Sequence, residues 1–317
     1  MSRCVAGLLT ALVLAGCAIA GPVERSSAAV LVGIGDQSAS TFTDPLFTKL
    51  RIKRARFFPP WNVARSSFHR ELLDRWLTAA EAADVKPLIS FGNSDGSKCP
   101  RKPCKLPTLR EYTKAFKAFR KRWPEVREIS PWNEANHRSQ PTFKQPKRAA
   151  QYYNIVRKYC RGCTIVAADV IDEGNMERWL KDFNKVARKP RIWGLHNYRD
   201  TNKRRNQKLG GTKRLLKAVK GKVWLTETGG IVRFVLPGGK TLFKKSERRA
   251  NQATKRMFTL AKQYRSRIKR LYVYHWRAPV YSNENGRFDA GLIRNDGTAR
   301  PAYWTVKRYL RSSTFNP

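Results

Sequence analysis

Acidic residues are scarce in this chain: 23 Asp and Glu stand against 65 Lys and Arg over 317 residues, a formal net charge of +42. Such a surface attracts polyanions at long range and is sensitive to salt. Nucleic acid, anionic cell-envelope polymers, acidic polysaccharides and lipid head groups are the candidate partners. The basic residues are spread over nearly every helix and loop, which describes a globally cationic solvated surface and not a dedicated binding stripe. No RNA- or DNA-binding motif is present, so no specific nucleic-acid partner is expected. Histidine is rarer still, at 4 residues, and no spacing of His, Asp and Glu asks for a metal. No G-x-G-x-x-G follows the first predicted strand, which removes the dinucleotide fingerprint, and no cofactor is expected. Linkers and low-complexity segments are also missing. With 41% hydrophobic residues the chain suffices for one large core.

Long apolar runs are confined to the start. Met1–Ala20 carries one positive charge, Arg3, and then Val5–Ala20. That run is too short and too rich in small residues for a membrane span and reads as an export leader over residues 1–29. Leu14-Ala15-Gly16-Cys17 has the form of a lipoprotein cleavage site, with lipid anchoring at Cys17; ordinary cleavage near Ala20 or around Ser27–Ala29 is the rival. A secreted protein without a transmembrane segment in its mature form is expected, acting as a monomer. Outside the leader four cysteines remain. In an oxidising compartment the pairs Cys99–Cys104 and Cys160–Cys163 are expected, each closing a short loop.

After the leader, short apolar strands alternate with amphipathic helices. Strands are predicted at Val30–Gly35, Arg54–Phe58, Pro87–Phe91, Val126–Ile129, Thr164–Val170, Ile192–Leu195, Val223–Leu225 and Leu271–Tyr274. Helices are predicted between and after them, from Pro45–Leu50 to Ala302–Leu310. Within Phe68–Ala83, for instance, Leu72, Leu73, Trp76, Leu77 and Ala80 recur at three-and-four spacing. This alternation predicts a single (β/α)8 barrel over residues 30–317, with an open doubly wound sheet as the alternative. It also separates the cysteine pairs: one lies after the third strand and the other before the fifth, on opposite faces.

In such a barrel the site is built at the C-terminal ends of the strands. The second strand offers Arg56 there, with Trp61 close behind. The fourth runs into Ile129–Asn136, I-S-P-W-N-E-A-N, presenting Trp132, Asn133 and Glu134. The sixth offers His196 and Tyr198, the seventh Glu227, the eighth Trp276. A carboxylate beside an amide and a large indole suits work on a sugar, since the aromatic can stack, the amide can hold a hydroxyl, and the carboxyl can shuttle a proton. In a chain so poor in acids, carboxylates at two strand mouths stand out.

These residues resemble the signature of the clan A retaining glycoside hydrolases, which place Asn-Glu after strand four and Glu after strand seven. The resemblance covers the barrel from about Val30 onward. It implies that Glu134 is the acid/base and Glu227 the nucleophile, the two about 5–5.5 Å apart. It further implies substrate-side roles for Arg56, Asn133, His196, Tyr198 and Trp276. On this reading Arg56 and Tyr198 keep Glu227 ionised and Asn133 holds the sugar 2-hydroxyl. Trp276 floors the central subsite while Trp61 and Trp132 extend the groove. One of the two carboxyls is expected to stay protonated near neutrality. The tail Gly291–Gly297 followed by Arg300-Pro301-Ala302-Tyr303 also resembles the family's ending. The expected activity is O-glycosyl hydrolysis of a poly- or oligosaccharide. A catalytically idle carbohydrate- or cell-wall-binding barrel and a polyanion-binding protein are the alternatives.

Overall fold

The computed structural model describes residue 1 and residues 29–202, 210–236, 238–279 and 287–317, so the leader expectations, Cys17 among them, lie outside the described residues. Parallel strands β1 (Val30–Gly35), β2 (Arg54–Phe57), β3 (Lys86–Ser90), β4 (Glu128–Ser130), β5 (Thr164–Ile165), β6 (Asp169–Ile171), β7 (Ile192–His196), β8 (Lys222–Thr228) and β11 (Ile268–Tyr274) form one curled sheet. Its order is β5-β4-β3-β2-β1-β11-β8-β7-β6, with β13 (Phe315–Asn316) added beside β1. The two ends of that path, β5 and β6, are successive pieces of one strand. Val166 N–H bonds to Ile129 O at 2.9 Å, and Ala167 N–H bonds to Ile192 O at 2.8 Å, so the chain changes neighbours within two residues. The barrel therefore closes through its fifth stave. The single strand expected at Thr164–Val170 is in two pieces for that reason.

Helices α1 (Pro45–Thr48), α2 (Ser67–Ala82), α3 (Leu109–Arg122), α4 (Pro146–Tyr159), α5 (Met176–Asn184), α6 (Tyr198–Asn202), α7 (Gly211–Ala218), α8 (Glu247–Gln263) and α9 (Pro301–Tyr309) surround the sheet. Their starts carry local signals: Ser66 caps α2, Thr108 and Glu111 form a capping box on α3, and Ser246 caps α8. Excursions after β8 and β11 build a small antiparallel sheet, β9 (Arg233–Val235), β10 (Thr241–Phe243) and β12 (Arg287–Asp289), in the order β10-β9-β12. Sequence reading gave no sign of it, since three-residue strands have no usable periodicity. Cys99–Cys104 and Cys160–Cys163 are paired, with Cα atoms 4.7 and 5.5 Å apart. No helix of the described residues is long and apolar enough to cross a membrane.

The barrel interior is unusually polar, and the first strand makes room for it. A Cβ at Gly33 would lie 2.6 Å from the Tyr272 ring, so a side chain there would collide with the tyrosine that fills the barrel. Lower down, Arg270 reaches across to Glu128 at 2.7 Å and lies 3.7 Å from the centre of the Trp224 ring. Above this plug the inward side chains are Arg56, Ser90, Asp169, His196 and Thr226, each fully buried. Burying so many polar groups is tolerable only if they satisfy one another.

Candidate active site

Arg56 on β2 organises the barrel mouth. Its Nε donates to Ser90 Oγ at 3.0 Å and its Nη1 to Glu227 Oε2 at 2.8 Å. Nη2 donates to Asn133 Oδ1 and, at 3.3 Å, to Asp169 Oδ2. A guanidinium does not shed its charge, so complete burial demands carboxylates in fixed places, and Glu227 and Asp169 meet that demand. Glu227 on β8 is 8% exposed, and its other oxygen accepts from the Tyr198 hydroxyl at 3.0 Å. His196 pairs in register with Glu227 across β7 and β8. Its Nδ1 lies 3.0 Å from Glu134 Oε1 and its Nε2 lies 3.2 Å from Asp169 Oδ1.

Glu134 is held from both sides along the backbone. Asn133 N–H donates to Phe91 O at 2.6 Å, Ala135 N–H donates to Asp169 O at 2.9 Å, and Glu134 between them takes a left-handed φ of +46°. A non-glycine residue there is unusual and carries a conformational cost that the two flanking hydrogen bonds offset. Its side chain remains 20% exposed. One oxygen of Glu134, one of Glu227 and a nitrogen of His196 lie within 4.8 Å of one another. His137 adds a further group, 3.8 Å from both Glu134 Oε2 and Glu173 Oε1.

Of the residues singled out in the sequence, Arg56, Asn133, Glu134, His196, Tyr198 and Glu227 thus meet at one mouth. The tryptophans do not. Trp276 is 1% exposed, its indole N–H held by Asp44 at 3.0 Å and its ring against Phe47 and Tyr303. Trp132 is 2% exposed and stacks on Tyr152, and Trp61 packs on Tyr112. None presents a face on which a sugar can lie. The partly exposed rings at this mouth are Phe58, Tyr198, Tyr274 and Phe288. Phe288 touches Tyr198 edge-on at 5.4 Å and Tyr274 at 6.1 Å, and Tyr274 lies 6.3 Å from Phe58.

Asp169 is the functional residue that sequence reading passed over. The signal was present as a lone acid inside the apolar stretch Val166-Ala-Ala-Asp-Val170 of an acid-poor chain. It accepts from Thr226 Oγ1, and Ser90 Oγ donates to it at 3.3 Å. Gly194 beside it has no room for a Cβ, which would collide with the Asp169 carboxylate.

The electrostatics correct one expectation. Burial would strip His196 of its proton, but Glu227 and Asp169 outweigh burial, and the hydrogen bond to Glu134 adds to them, pushing it up to about 10. Burial would likewise raise Glu134, yet the hydrogen bond and charge of His196 hold it below the usual carboxylate range. Asp169 is held far lower still, because His196 and Arg56 overcome its burial. These directions favour the proton on His196 over Glu134, across the 3.0 Å hydrogen bond that joins them. Glu134, His196 and Glu227 are also the donors a cation would have to use. Their carboxylates are already engaged by the Arg56 guanidinium and the His196 ring, which disfavours a metal.

No family model matches the chain, and no curated protein does. Solved structures match it in shape. A family 39 glycoside hydrolase from the gut symbiont Bacteroides cellulosilyticus WH2 superposes with a TM-score of 0.59 at 15% identity, over 89% of this chain and 63% of that one. The GH39 enzyme from Xanthomonas axonopodis pv. citri gives 0.62 at 14% identity, over 89% and 66%. A GH10 endoxylanase retrieved from a sugarcane soil metagenome gives 0.59 at 12% identity, over 89% and 97%. The fold is that of barrel glycoside hydrolases. It agrees at the level of architecture with the resemblance to clan A, whereas the chain spans only about two thirds of the length of the two family 39 structures.

Proposed function

We propose that the protein is a secreted retaining O-glycosyl hydrolase in which Glu227 attacks the anomeric carbon and Glu134 serves as acid and then base. The observation that carries this reading is the approach of a Glu134 oxygen to a Glu227 oxygen, within 4.8 Å at the barrel mouth. That separation suits direct attack and leaves no room for a water between carboxyl and sugar, as inversion requires. Arg56 and Tyr198 supply the rest of the argument: both donate to Glu227, at 2.8 and 3.0 Å, which fixes its oxygens for attack.

The steps follow from these contacts. Glu227 forms a bond to the anomeric carbon as the glycosidic C–O bond breaks. His196 passes its proton to Glu134 across their hydrogen bond and Glu134 delivers it to the leaving oxygen, which leaves Glu134 ionised and His196 neutral; Asp169 keeps the imidazole ring oriented for that transfer. In the second half Glu134 accepts a proton from water, whose oxygen displaces Glu227 with retention overall. Asn133 spends its carbonyl oxygen on Arg56, which leaves its amide N–H groups for a sugar hydroxyl.

The experiment is a panel of aryl glycosides, pentosides and hexosides, with Glu227→Ala and Glu134→Ala compared to the parent. Glu227→Ala is expected to lose about 10⁴-fold or more in kcat, with azide restoring turnover to a glycosyl azide of inverted configuration. Glu134→Ala is expected to lose about 10²–10⁴-fold, with azide giving the retained configuration. An inverted product from the parent enzyme, or Glu227→Ala with parental activity, overturns the reading.

A further inference from the structure

We infer that the outer flank of the barrel between α8 and α9 carries a second, non-catalytic binding site for an acidic polysaccharide, centred on Trp304. The helix does not need this indole for packing. Ala302, Tyr303, Thr305 and Val306 form the buried face of α9, while Trp304 is 55% exposed. Trp304 is one of four large apolar side chains left exposed among the described residues. Leaving a side chain of that size in water forgoes substantial burial, so a partner for its free face is the economical explanation.

The surroundings define the partner. Trp304 borders a shallow cavity of about 450 Å³ whose lining includes Asn251 and Lys255 from α8 and Thr305 and Arg308 from α9. Lys255 and Arg308 are exposed, and neither is in an ion pair among the described residues. Lys307 lies 5.4 Å from the Trp304 ring centre and adds a third cation. Among the described residues the cavity lining holds no carboxylate, and Glu247, the partner of the lining residue Arg294, is engaged by it at 2.6 Å and by Arg300 at 3.3 Å, so it does not offset these charges. Asn251 accepts from Thr305 at 2.7 Å through its carbonyl oxygen, which leaves its amide nitrogen without a partner among the described residues.

An exposed indole takes the apolar face of a sugar ring, the free amide takes a hydroxyl, and unpaired Lys and Arg take carboxylates. A uronate-bearing chain offers all three at once. Duplex DNA offers the anions but keeps its bases stacked inside, with no face for the indole. Both helices begin at the end of the barrel where β8 and β11 deliver the chain, so the flank adjoins the same rim as Glu134 and Glu227. The site goes beyond the proposed hydrolysis and does not depend on it.

Binding of the Glu227→Gln protein to polygalacturonate, followed by calorimetry and affinity electrophoresis, tests the inference whether or not the parent cleaves glycosides. Trp304→Ala is expected to weaken binding about tenfold, the equivalent of one stacking contact. Lys255→Gln with Arg308→Gln is expected to weaken it comparably, whereas Lys114→Gln with Lys121→Gln on α3 leaves it within about twofold. Neutral xylan is expected to bind far more weakly than polygalacturonate. Trp304→Ala binding as tightly as its parent overturns the site. So does equal weakening by the α3 pair, which would reduce the interaction to general charge, or a Trp304→Ala effect seen with duplex DNA and not with polygalacturonate.

Discussion

Asp172, just beyond the end of β6, shows how much a single carboxylate can matter in so basic a protein. It is 2% exposed, and its Oδ2 accepts from the backbone N–H groups of Arg199 at 2.9 Å and Asp200 at 3.3 Å. Its other oxygen has no partner among the described residues. Burial, reinforced by the charge of Asp200, pushes it up to about 7, against about 3.9 in an unfolded chain. Between those values the unfolded chain has released a proton that the folded protein retains, so this group costs stability as pH rises from about 4 to 7. Asp172→Asn is therefore expected to melt at a higher temperature than the parent at pH 8, with the gap closing towards pH 4. Calorimetry at pH 4, 6 and 8 checks this; a gap independent of pH contradicts it. At this scale the sequence told chemical type better than orientation. Arg56, Asn133, Glu134, His196, Tyr198 and Glu227 were legible because polar residues at strand ends have few other reasons to be there. Trp276 misled, because whether an indole faces the mouth or the helix layer is decided by Asp36 and Asp44 from the loop after β1. Asp36 takes the Trp276 backbone N–H at 2.8 Å and Asp44 the indole N–H. Those contacts span more than 200 residues, and no local pattern reveals them.

Among the elements, all eight staves were legible as apolar runs, because strands buried on both faces leave that mark. The split of the fifth was not, since it arises from a change of neighbour from β4 to β7, a tertiary event. The small sheet of β9, β10 and β12 was equally hidden, although it brings Phe288 to the mouth against Tyr198. The disulfides, by contrast, followed from spacing. Each spans a short loop, with sequence separations of 5 and 3. Replacing both cysteines of either pair with serine is expected to cost about 2 kcal/mol or less, read from urea unfolding midpoints. A loss of more than about twice that would mean the pair does more than close its loop. In protein recovered outside the cell, mass analysis without reductant is expected to show both pairs linked and the leader gone. Free thiols there contradict the pairing.

For the molecule as a whole, charge and catalysis are expected to separate. A net charge of +42 draws the protein to anionic surfaces whatever its mouth recognises. Raising salt from roughly 0.05 to 0.5 M shortens the screening length from about 14 to 4 Å, so surface binding is expected to collapse. Hydrolysis of a small neutral glycoside is expected to change little, because short contacts inside the mouth stabilise its transition state. Parallel salt dependence of the two would contradict this separation and favour an acidic substrate in the cleft itself. The central claim is that Glu227 becomes covalently bonded to sugar, and trapping reads that directly. The enzyme is treated with the activated 2-deoxy-2-fluoro analogue of a glycoside it turns over, then digested and sequenced by mass spectrometry. The account predicts one glycosyl adduct, on Glu227, with loss of activity in step with labelling. An adduct on Glu134 or another residue, or steady turnover with no adduct and an inverted product, would contradict it.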